Sequence, residues 1–180
     1  MGKVESNTPY DDAFRTLLND CSNLIIPIIN ELFNENYSMD EPIRLYNNEQ
    51  FITKPDGSQE KRYTDSILEF LSILISKDYH IECESTPKDK TINIRLFEYD
   101  SRHAIRKSEL NGNVLTVNFP NTAVMYLRHN SNTPDKLKVI IKTSGKDGEY
   151  DIPVMKVQNY TIDDIFEKNM LFLIPFYIFS

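Results

Sequence analysis

"YHIECES", residues 79–85, decides how the chain is read. Ile81 and Cys83 alternate with His80, Glu82 and Glu84, which is the two-residue period of a β-strand. On such a strand the three ionisable side chains stand on one face, about 7 Å apart in successive steps. Two carboxylates side by side repel each other unless a positive group lies between them. Solvent, a basic side chain and a metal ion are the candidates for that role.

Immediately upstream, "YTDSILEF" (63–70) reads as a second strand, joined to the first through "LSILISKD" (71–78) in a hairpin-like arrangement, with a helical turn as the alternative for the intervening apolar run. Asp65 stands at the head of that strand. If the two strands pair, Asp65 and Glu82 converge at one end of the sheet. An Asp and a Glu beside a backbone carbonyl make an oxygen-rich site suited to Mg²⁺ or Mn²⁺. Such an ion polarises a phosphate oxygen and lowers the pKa of a bound water. The alternative is a solvated strand face with no chemistry.

Downstream, "TPKDK" (86–90) closes the strand, and Thr91 is placed to cap a helix over 92–107. Ile94, Phe97, Ala104 and Ile105 fall near one face of that helix. Arg95, Tyr99, Arg102 and Arg106 form a second stripe, suited to DNA phosphates or to a solvated face shared with Glu98 and Asp100. His80 can shuttle a proton on the carboxylate face or hydrogen-bond at the end of the sheet. His103 and His129 show no partner pattern.

Further out, residues 11–36 carry apolar positions at spacings of three and four, a helical pattern with Pro27 inside it, which predicts a kink or break. "IRLYNNEQFI" (43–52) is compatible with a short strand and a loop, and "KPDGSQEKR" (54–62) with a turn. Beyond residue 112 the chain turns β-rich: "NVLTVNFP", "AVMYLRH", "KLKVIIKT" and "EYDIPVMKVQ", with "SGKDGE" as a turn. Thr161, Asp163 and Asp164 open a short helix. The order predicts an α/β fold with a mixed central sheet flanked by helices.

The 180 residues are 40% hydrophobic, enough for one domain with a core, and the net charge of −7 argues against holding nucleic acid by bulk charge. Cys21 and Cys83 have no zinc-ligand spacing and read as reduced thiols of a cytosolic protein. The first residues, "MGKVESNTPYDD", hold no apolar signal segment, and Gly2 with Ser6 is a weak myristoylation match. "MLFLIPFYIF" is about half a membrane span and reads as buried core. Its abrupt end predicts a trimmed chain. Neither a phosphate-cradling glycine loop nor a GxSxG motif occurs, and no organic cofactor or membrane partner is expected.

Several of these stretches, taken together, carry a resemblance: "DDAFRTLLND", "YTDS", "YHIECES" followed by "IRLFEYD", "NVLTVNFPNTAVMYLR", "NTPDKLKV", "YDIPVMKVQNYTIDDIFEK" and "MLFLIPFYIFS". The chain resembles, over nearly its whole length, the PD-(D/E)XK nuclease family transposases, the group that includes the Rpn recombination-promoting nucleases. The resemblance implies one domain over 1–180 with a restriction-endonuclease-like core. It implies a metal-dependent DNA endonuclease linked to recombination, plausibly dimeric for duplex cleavage. Residue by residue, Asp65 matches the motif's Asp and Glu82 its (D/E), the two metal ligands. Glu84 falls where the motif has Lys, or Gln in many relatives. A carboxylate cannot supply the lysine's charge; it can serve as a third ligand or as base for the attacking water. Arg95 or Lys88 are cations able to replace that charge, and Asp12 or Glu31 from the first helix can join such a site. The other expectation is a degenerate nuclease-fold domain that binds DNA or a protein.

Overall fold

The computed structural model describes residues 9–46, 49–53, 59–63, 66–71 and 76–178. The helical pattern at the start resolves into two helices, α1 (Pro9–Asp20) and α2 (Ile26–Phe33), separated by a 3₁₀ turn over Ser22–Ile25. The predicted break is therefore real. Pro27 lies in the first turn of α2, where its missing N–H would have no helical partner in any case. Asn34 ends α2 in the left-handed conformation at φ 52°.

Strands β1 (Ile43–Tyr46), β2 (Glu49–Thr53), β3 (Gln59–Tyr63), β4 (Ser66–Leu71) and β5 (Ser76–Glu84) follow. Of the turn expected over 54–62, residues 54–58 lie outside the described residues, and Gln59–Tyr63 is strand, paired antiparallel with β2. Helix α3 (Ile92–Arg106) then leads to the small hairpin β6 (Glu109–Asn111) and β7 (Val114–Thr116), and on to β8 (Asn121–Tyr126), β9 (Lys136–Ile141) and β10 (Gly148–Lys156). Helices α4 (Ile162–Glu167) and α5 (Ile174–Ile178) close the described chain. Thr161 and Asp164 cap α4 reciprocally, as the sequence predicts.

Six strands form one mixed sheet in the order β1-β4-β5-β8-β10-β9. The hairpin-like arrangement of β4 and β5 holds: they run antiparallel, with Ser66 opposite Ile81 and Ile67 opposite His80. β5 and β8 run parallel, with Glu82 opposite Val124, because α3 returns the chain between them. The fold is α/β, with helices on both faces of the sheet.

Tyr79, Ile81 and Cys83 of β5 pack with Phe14, Leu18, Ile28 and Ile29 of the first two helices and with Phe172 and Phe176. From the "MLFLIPFYIF" segment, Met170, Phe172, Leu173 and Phe176 are buried there, as expected. On the opposite face α3 packs through Ile92 and Leu96 against Val124, Tyr126 and Ile152. The expected apolar face of α3 is corrected. Ile94 and Ile105 are 68% and 63% exposed, and Phe97 is only partly buried. The buried face is Ile92, Leu96, Tyr99, Asp100, His103 and Ala104. Among the described residues no helix is long and apolar enough to cross a membrane.

Candidate functional site

Both faces of β5 are covered, so its polar row lies beneath α3. Asp78, His80, Glu82 and Glu84 occupy alternate positions of β5. From Asp78 to Glu84 the strand rises about 20 Å. From Arg95 to Lys107 an α-helix rises about 18 Å. The two rows run in opposite directions and stay in step, so each ionisable group of β5 meets one from α3.

Arg95 stands at the upper end. Its Nη2 lies 2.8 Å from Glu82 Oε1 and also contacts Glu84 Oε1. Its Nη1 is 3.1 Å from Asp89 Oδ2. The positive group between the two carboxylates is thus a guanidinium, held by three acidic side chains. Asp89 Oδ1 accepts from the backbone N–H of Thr91 at 2.7 Å and from its hydroxyl at 2.6 Å. Thr91 occupies the N-cap position, but its side chain makes no cap bond to α3; Asp89 orders the turn instead.

One step down, His80 is fully buried. Its Nδ1 lies 2.6 Å from Asp100 Oδ1, and the Thr122 hydroxyl donates to Asp100 Oδ2 at 2.7 Å. His80 Nε2 faces Glu82 Oε2 at 3.5 Å, an ion-pair distance. Burial disfavours the imidazolium, but Asp100 and Glu82 outweigh it and hold the His80 pKa well above the usual range. Glu84 behaves in the opposite sense. Burial pushes its carboxyl up to about 7 against the attraction of Arg95, and Glu82 adds to the rise. That is the range in which a carboxylate exchanges protons at neutral pH.

At the lower end Lys107 Nζ bridges Asp78 at 2.8 Å and Glu69 at 3.0 Å, and His103 Nε2 meets Asp78 Oδ2 at 2.7 Å. His103 therefore does have a partner, on the neighbouring strand. The Tyr46 and Ser76 hydroxyls each donate to Glu69 at 2.7 Å. This cluster clamps the end of α3 to β1, β4 and β5. Burial raises the Glu69 carboxyl, but bonds from Ser76, Tyr46 and Lys107 prevail and hold it down at about 2, below the ordinary 4.5. A depressed carboxyl stabilises the fold above its unfolded pKa and loses that contribution as pH falls through the folded value. Glu69→Gln is expected to lower unfolding free energy by about 2–3 kcal/mol at pH 7, with the difference closing toward pH 2. Urea melts of both proteins at pH 7, 4 and 2 measure it; a gap that does not narrow would contradict it.

The expected site residues divide as follows. Glu82 and Glu84 share a face and converge, with Glu82 only 4% exposed, so the solvated-face alternative is excluded. Arg95, rather than the exposed Lys88, supplies the charge between them. Asp65 lies outside the described residues; the described pairing at that end stops at Ser66 opposite Ile81. The second stripe of α3 is not one exposed face. Tyr99 is 1% exposed and lies edge-on to His80, Arg102 pairs with Glu98, and Arg106 is exposed. Asp12 and Glu31 belong to the helical layer on the other face of the sheet, where Glu31 bonds Lys168 and Tyr160. They do not join Glu82.

Missed in the sequence were Asp78, Asp89, Asp100, His103 and Thr122. For α3 the signal was present: Ile92, Leu96, Tyr99 and His103 follow the spacing 4, 3, 4, with Asp100 beside Tyr99. Among the described residues no group of three or more His, Cys, Asp or Glu side chains is placed to hold a metal ion. One carboxylate oxygen of Glu82 and one of Glu84 meet on a single guanidinium nitrogen of Arg95. No protein-family model, curated protein or solved structure matches the chain.

Proposed function

We propose that the chain is a Mg²⁺- or Mn²⁺-dependent DNA endonuclease of the recombination-promoting PD-(D/E)XK type, with a restriction-endonuclease-like core. The observation that carries the reading is the convergence of Glu82 and Glu84 on one cation, on a strand paired with β4. The mixed sheet with helices on both faces is the layout that the resemblance implies.

In this reading Asp65 and Glu82 would hold the ion, which would lower the pKa of a bound water and polarise the scissile phosphate. The chain's own residues do the rest. Asp100 and Thr122 fix His80, and His80 faces Glu82 Oε2, so the Glu82 carboxylate is turned toward Arg95 through its other oxygen. Glu84 serves as further ligand or as base for the attacking water. Arg95 places a permanent positive charge where the motif's lysine would stand.

One observation favours a second reading, a nuclease-fold module without catalysis that binds DNA or a partner protein. Arg95 already neutralises the carboxylates, and Glu84 replaces the lysine. Supercoiled plasmid incubated with the protein separates the two. Nicking in Mn²⁺ or Mg²⁺ that EDTA abolishes is expected; a folded protein that leaves the plasmid intact under every condition supports the module.

A further inference from the structure

The β6–β7 hairpin stands outside the central sheet, and all six of its strand residues are exposed. Leu110 lies directly opposite Leu115, so both leucines share one face of the ribbon, 73% and 58% exposed. The turn between the strands is tight. Asn111 pairs with Val114, and Gly112 holds φ 60°, the sign that a two-residue hairpin turn requires. A side chain at Gly112 would meet nothing within 4 Å. A two-stranded ribbon is marginal in water until an apolar face is covered.

Both ends of the ribbon are tied to α3. The Ser108 N–H and hydroxyl donate to the Ile105 carbonyl at 3.2 and 2.8 Å. On the return, Phe119 stacks on Phe97 with ring centroids 5.9 Å apart. Ile94, Phe97 and Ile105 follow one stripe of α3, at spacings of three and eight, apart from the buried face of that helix. The exposed parts of Ile94, Ile105, Leu110, Leu115 and Phe119 give on the order of 500 Å² of apolar surface, near the upper limit for the largest patch on a monomer. Homodimer interfaces are roughly two-thirds apolar, so such a patch corresponds to about 800 Å² per copy, one side of a standard interface.

Charge selects the occupant. The chain carries −7, so two copies repel over most of their surface. Over residues 92–119 four basic side chains stand against three acidic ones, a near balance that opposes a second copy least and offers DNA phosphates little. Arg106 and Glu109 flank the root of the ribbon. Both are exposed, and neither has an ion-pair partner among the described residues. Opposite charges three positions apart are self-complementary about a two-fold axis.

We infer that the ribbon and the outer stripe of α3 form the contact surface between two copies of this chain, with Arg106 facing the partner's Glu109 and the reverse. The inference is independent of the nuclease reading.

Sedimentation equilibrium of the whole chain tests it. Wild type is expected to move from 21.0 kDa toward twice that mass as its concentration rises to about 100 μM. Leu110→Asp with Leu115→Asp is expected to stay monomeric. Both positions are exposed, so unchanged circular dichroism shows that the fold survives. Arg106→Glu and Glu109→Arg each set like charges face to face twice per dimer and are expected to weaken it about tenfold or more. The double variant exchanges the two charges and is expected to restore the wild-type affinity. A wild type that is monomeric throughout overturns the inference, and so does a dimer indifferent to the leucine substitutions. Failure of the double variant to recover overturns the two-fold pairing. A monomer that binds duplex DNA and loses it in the leucine variant would assign this face to DNA instead.

Discussion

Asp100→Ala is expected to destabilise the protein by about 3–5 kcal/mol, the range for breaking one side of a buried ion pair. For a chain of this length that corresponds to roughly 10 °C in melting temperature. Asp100 has no exposed surface and serves two partners, His80 at 2.6 Å and Thr122 at 2.7 Å. Alanine would leave a buried imidazole whose remaining charged neighbour, Glu82, stands 3.5 Å away. Asp100→Asn separates charge from shape. Its amide can still accept from His80, so it is expected to cost less than alanine. Thr122→Val removes one hydroxyl bond and is expected to cost about 1 kcal/mol. Denaturant melts of the three variants measure the series. An Asp100→Ala loss below that of Thr122→Val would mean that the imidazole is not charged, and that Glu82 is not held from that side.

The second large effect concerns chemistry. Glu82→Gln is expected to reduce divalent-dependent plasmid nicking by about a thousandfold or more, because a metal's contribution to the barrier is several kcal/mol at 1.36 kcal/mol per tenfold. Glutamine keeps the side-chain shape, and Arg95 retains Glu84 and Asp89, so the fold is expected to survive. Near-unchanged circular dichroism beside lost nicking separates a lost ligand from a lost fold. Glu84→Gln tells ligand or base from structural partner. If Glu84 serves the water or the ion, nicking falls with it. If Glu84 only steadies Arg95, nicking persists. Full nicking by Glu82→Gln would place the metal elsewhere.

The parts that sequence made visible are those with a local period. Alternation over residues 79–85 put His80, Glu82 and Glu84 on one face and Ile81 and Cys83 on the other, and the strand obeys it. Pro27 marked the break between α1 and α2, and Thr161 with Asp164 marked the start of α4. Apolarity alone misread α3. A face built of Ile92 and Leu96 and completed by Tyr99, Asp100 and His103 is buried because its polar members are paired. Hydropathy scores such residues as surface. Their partners Asp78 and His80 lie on another strand, 20 or more residues away, and only the crossover that makes β5 and β8 parallel brings them together. The same holds for the cation between the glutamates. Arg95 was a candidate by charge, but the choice between arginine, solvent and metal depended on where the helix crosses the strand.

The most direct test of the glutamate pair as a cation site is a crystal of the protein soaked in Mn²⁺, with diffraction collected where manganese scatters anomalously. The account predicts an anomalous peak beside the Glu82 carboxylate. No peak at the pair, with Arg95 still seated on both glutamates, would contradict it.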